Sequence, residues 1–75
     1  MPGQLVRLIF PQQMLNVPVI NDLIRQYNLT VNILRANINP REGWIDLQIT
    51  GNSDAIEDAI LWLTNQGIEV VNLAQ

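Results

Sequence analysis

Thr30 to Thr50 reads TVNILRANINPREGWIDLQIT, and this stretch decides the fold. At its centre, Asn39-Pro40-Arg41-Glu42-Gly43 has turn chemistry, with Pro early and Gly late. After the turn, Trp44 to Thr50 alternates cleanly: Ile45, Leu47 and Ile49 share one face, and Trp44, Asp46, Gln48 and Thr50 share the other. Before it, Thr30 to Ile38 is strand-like but breaks phase. Val31 and Ile33 point one way, and Leu34, Ala36 and Ile38 the other. Such a run is either apolar on both faces or interrupted by a bulge that flips the alternation. The two strands form an antiparallel hairpin.

Working outward, the hairpin is flanked on each side by a helix and then a strand. Ile20, Leu23, Ile24 and Tyr27 recur at helical spacing and form one apolar stripe. Pro18 suits the first turn of that helix, and Asn28 suits its stop, because Asn tolerates the left-handed conformation. A loop from Pro11 to Val17 connects it to a first strand, Gln4 to Phe10, with Val6, Leu8 and Phe10 on the core side. On the other flank Gly51 ends the hairpin, and Asn52 or Ser53 caps a helix whose Asp54 and Glu57 lie near its positive end. Ile56, Ala59, Ile60 and Leu63 make its buried stripe, with Trp62 packing at the core edge. Gln66-Gly67 stops it, and Ile68 to Leu73 is the last strand. The order β-α-β-β-α-β predicts an α+β fold: a ferredoxin-like sandwich with a four-stranded antiparallel sheet and two helices on one face. Residues 1–75 are read as one domain.

That architecture leaves the other sheet face bare. Leu5, Arg7 and Ile9 of the first strand and Trp44, Asp46 and Gln48 of the third are expected on it. A face carrying Leu, Ile and Trp is awkward in water, and it is read as a surface for self-association or for a protein partner.

Composition removes several functions. The chain has no Cys and no His, four Arg, no Lys, seven Asp plus Glu, and a net charge of -3. There is no thiol or imidazole for nucleophilic catalysis, metal ligation or a disulfide, and no cofactor is expected. An acidic chain without Lys is a poor neutraliser of phosphates, so no nucleic-acid partner is expected. Asp54, Glu57 and Asp58 suit a solvated helix start, not an acid–base pair, so no enzyme is expected. No apolar run reaches the ~18–20 residues of a membrane span, so no membrane insertion is expected. The start Met1-Pro2-Gly3-Gln4 lacks a signal-peptide pattern, and a cytoplasmic location follows as the expectation. Only 15% of residues are charged, and the polar surface leans on nine Asn and seven Gln, a balance that favours association.

Asn32-Ile33-Leu34, early in the second strand of a βαββαβ chain, is the tripeptide after which the NIL domain is named. Tyr27 closing the helix before it, Gly43 before an aromatic, Gly51 ending the third strand, Ala59-Ile60 and Trp62-Leu63 in the second helix, and Gly67-Ile68-Glu69-Val70 follow in family order. The chain therefore resembles that family, which is similar to ACT-type regulatory domains. The family is best known at the C-terminus of the ATP-binding subunit of methionine ABC transporters. There it binds L-methionine and holds the transporter inhibited when methionine is plentiful. Its members also occur beside ferredoxin modules and as short independent chains, and this chain resembles the last group.

The resemblance implies a non-enzymatic, ligand-sensing regulatory module for a small amino acid such as L-methionine; the bare sheet face and the small core add the expectation of a homo-oligomer, with the ligand at its interface. The family's asparagine carries over to Asn32, with Ile33 and Leu34 beside it as ligand-site candidates. The chain departs from the transporter pattern at Ile45, where those members usually place a Gly after the aromatic of the third strand. The alternative is an adaptor that binds an unidentified protein and no ligand.

Overall fold

The computed structural model describes residues 3–73. In chain order the elements are β1 (Gly3–Phe10), a single 3-10 turn (Gln12–Met14), α1 (Val19–Gln26), β2 (Leu29–Ile38), β3 (Gly43–Gly51), α2 (Ser53–Asn65) and β4 (Glu69–Asn72). All strand pairs are antiparallel, in the order β2-β3-β1-β4. This is the βαββαβ sandwich that the hairpin and its flanks predict. β3 and β1 occupy the centre because their alternation supplies a full apolar face. Val6, Leu8 and Phe10 of β1 and Ile45, Leu47 and Ile49 of β3 are buried against Val19 and Leu23 of α1 and Ile56, Ala59 and Leu63 of α2.

β2 settles the question of phase with a bulge. Ile33 is registered with Leu47, but Arg35, not Leu34, is registered with Asp46. One extra residue on β2 reverses its alternation. Val31, Ile33, Ala36 and Ile38 therefore lie opposite the core positions of β3, and Asn32, Arg35 and Asn37 lie opposite Gln48, Asp46 and Trp44. As an edge strand β2 is still poorly covered, and Ile33, Leu34 and Ile38 are exposed.

The helix ends differ from expectation in instructive ways. Pro18 sits at the N-cap of α1, one residue before its first turn. Asn28 does not stop α1 by turning left-handed. Tyr27 leaves the helix in an extended conformation, because the chain must enter β2 two residues later. The stripe of α1 is shifted from the expected one: Leu23 is buried together with Val19, Ile20 and Tyr27 pack partly buried against the core, and Ile24, about 100° round from Leu23, is exposed. Asn52 caps α2, its side-chain oxygen accepting the Asp54 N–H at 2.8 Å; Asp54 lies in the first turn and Glu57 beyond it. At the other end Gly67, at φ 91°, closes a Schellman motif. Its N–H donates to the Thr64 carbonyl at 3.0 Å, and the Ile68 N–H to that of Leu63 at 3.2 Å. Trp62 packs at the core edge and meets Tyr27 edge-on, ring centroids 6.3 Å apart, which joins the two helices.

Candidate functional site: the open sheet face

The strand register arranges the helix-free face in three rows. Asn32 of β2, Gln48 of β3 and Leu5 of β1 form the first. Arg35, Asp46, Arg7 and Val71 form the second, running across all four strands. Asn37, Trp44, Ile9 and Glu69 form the third. The residues expected here from β1 and β3 are thus directly cross-strand neighbours: Leu5 with Gln48, Arg7 with Asp46, Ile9 with Trp44.

One of them does not behave as a surface residue. The Asp46 side chain is 2% exposed. Arg7 covers it with a bidentate contact, Nε to Oδ1 at 2.7 Å and Nη2 to Oδ2 at 3.0 Å. Arg35 adds Nη2 and Nε to Oδ2 at 3.1 and 3.3 Å. A carboxylate in the middle of the face has to be shielded, and the guanidiniums of the two neighbouring strands shield it. The Arg7 Cζ also lies 4.1 Å from the Trp44 ring centroid, a cation–π stack, with the Arg35 Cζ at 6.0 Å. Hydrogen bonds from Arg7 hold the Asp46 carboxyl below the usual aspartate value, against the opposing loss of hydration; Arg35 adds to the lowering. The same contact raises Arg7 above the ordinary arginine value.

Asn32 stands one row away from this cluster, exposed, on an edge strand and directly across from Gln48. Among the described residues no hydrogen bond engages its side chain. The two amides offer carbonyl oxygens and N–H groups side by side. Ile33 and Leu34 are exposed next to it, Ile33 on the helix side of β2 and Leu34 at the bulge. Arg35 belongs to the same face and was not a sequence candidate. Its signal is the phase break between Ile33 and Leu34, which a bulge turns into a switch of Arg35 onto the face that carries Asn32.

An apolar cavity of about 150 Å³ lies elsewhere, on the helix side, lined by residues including Phe10, Val17, Ile20, Ile38 and Ile45. It contains no charged group to orient a ligand. Among the described residues there is no cluster of acidic side chains suited to a metal ion, and no helix is long and apolar enough to cross a membrane.

Comparison with known proteins agrees with this architecture. The NIL domain model matches residues 4–71. An uncharacterised protein of Synechococcus elongatus is 32% identical over 68 residues, covering 87% of this chain and 84% of that protein. The methionine import ATP-binding protein MetN of Halalkalibacterium halodurans is 32% identical over 76 residues, covering 96% of this chain but 22% of that protein. The crystal structure of the C-terminal domain of an ABC transporter ATP-binding protein from Enterococcus faecalis superposes with a TM-score of 0.85 at 26% identity, covering 97% of this chain and 86% of that one. The tripeptide at Asn32, the strand order and these matches together make the chain a member of the NIL domain family.

Proposed function

We propose that the chain is a non-enzymatic regulatory module that senses a small amino acid, L-methionine foremost, on the open face of its sheet, and that it acts as a homo-oligomer. The observation that carries this reading is the Asn32–Gln48 pair: two adjacent exposed amides, one on the edge strand and one on its central neighbour, one row from a guanidinium cluster. Their oxygens suit an ammonium group and their N–H groups a carboxylate. Leu34 supplies apolar surface for a side chain. The relationship to a methionine import protein supports methionine as the first ligand to test.

Association is supported by the same face. Leu5, Ile9, Trp44 and Val71 are only half-buried there, with no second layer above them. A second copy on this face would enclose the Asn32 row. The second reading, an adaptor for another protein, draws on Ile33 and Ile38, apolar and exposed along an edge strand that is open to pairing.

Thermal-shift and calorimetric titration with the twenty common amino acids tests the reading. A ligand bound only by the native state raises stability by about 2.7 kcal/mol at a hundredfold excess over its Kd. A shift with one amino acid supports sensing, and no shift with any of them leaves the adaptor.

A further inference from the structure

Two guanidiniums share one carboxylate on this face, and they do not share it equally. Arg7 meets both oxygens of Asp46, stacks on Trp44 and is 31% exposed. Arg35 reaches only Oδ2, which Arg7 already contacts, and is 69% exposed. Its Nη1 has no hydrogen bond among the described residues. The cluster therefore has a surplus of one positive charge, and that surplus sits on Arg35.

We propose that Arg35 binds the α-carboxylate of an amino acid held beside Asn32, an inference that rests on the amino-acid reading above. The bulge makes this possible. Asn32 and Arg35 face Gln48 and Asp46, two residues apart on β3 and about 7 Å along the strand. Both side chains are long enough to converge on one small zwitterion between the rows. Arg35 presents a planar fork that a carboxylate fills bidentately, and the Asn32 and Gln48 oxygens accept from the ammonium. Asp46 does not repel the ligand, because Arg7 neutralises and covers it. A doubly charged phosphate fits less well: it would meet one surplus cation on a face that also carries Glu69. The neutral charge of a zwitterion matches a single surplus cation offset by amide dipoles.

The test uses the full chain and isothermal calorimetry. Wild type is titrated with each common amino acid, and the binder is then compared with its own carboxamide (L-methionine with L-methioninamide). The amide is expected to bind at least tenfold more weakly. Arg35→Gln is expected to weaken the free acid at least tenfold and to abolish the preference for acid over amide. Arg41→Gln, in the hairpin turn, is expected to change neither. Equal binding of acid and amide by wild type overturns the role of Arg35 and leaves the sensing module intact, a result independent of whether Arg35→Gln folds. Wild-type affinity retained in a folded Arg35→Gln overturns it as well. No binding of any amino acid by wild type overturns both this inference and the amino-acid reading.

Discussion

Arg35 stands opposite Asp46 only because β2 carries one residue more than β3 between Ile33 and Arg35. Without Leu34 as the extra residue, the alternation that puts Ile33 across from Leu47 would leave Leu34 facing Asp46, and the carboxylate would lose one of its two cations. The bulge thus links the exposed tripeptide to the charged centre of the face.

The ion cluster makes stability depend on acid. Asp46 has its carboxyl lowered below the ordinary 3.8 by Arg7 first and Arg35 next, so the folded state binds fewer protons than the unfolded chain in that range. Its contribution is complete above the unfolded value and is lost as pH falls through the folded one. Arginine stays charged throughout. Thermal unfolding of wild type and Asp46→Asn is expected to show a gap at pH 7 that closes as pH falls below about 4. A gap unchanged down to pH 2 would mean that the paired carboxylate is not its source.

Leu47 lies in a central strand and is fully buried in the core. Leu47→Ala is expected to lower the unfolding free energy by about 3 kcal/mol, through lost burial and the cavity left behind. The denaturant midpoint checks this, and a change below about 1 kcal/mol would place Leu47 outside the well-packed core.

The two central strands were legible in the sequence because their alternation is strict. Val6, Leu8, Ile45, Leu47 and Ile49 had one possible face each, and the cross-strand partners of the opposite face followed. β2 was not legible in the same way. Its phase break admits two arrangements, and the choice depends on the pairing of Arg35 with Asp46 across 11 positions of sequence, which a local pattern does not carry. The same long-range pairing hid the burial of Asp46, since alternation places a residue on a face but says nothing of the side chains that fold over it. Ile24 lies outside the stripe because the burial of Val19 turns the helix so that Val19, Leu23, Tyr27 and Ile20 face the core.

Gly67 closes α2 with a positive φ and nothing near the position of a Cβ. The cost of Gly67→Ala is therefore conformational, expected at about 1 kcal/mol. In a domain of this size that lowers Tm by roughly 4–8 °C. An unchanged melting temperature would show that Ala adopts the turn without strain.

Association should be visible in solution. Sedimentation velocity at micromolar concentration is expected to give a dimer or larger species. Leu5→Glu, which places a charge on the first row of the open face, is expected to shift it toward monomer with the fold retained. A wild-type monomer, or an oligomer indifferent to Leu5→Glu, would remove the open face as the interface.

Calorimetric titration of L-methionine into wild type and Asn32→Ala reads out whether the face around Asn32 recognises this amino acid. Asn32 is exposed, so its removal should alter stability by less than about 1 kcal/mol. Saturable binding by wild type is expected, with at least a tenfold loss of affinity in the variant, equivalent to about 1.4 kcal/mol. Equal affinities in two equally stable proteins, or no heat from methionine with either, would contradict it.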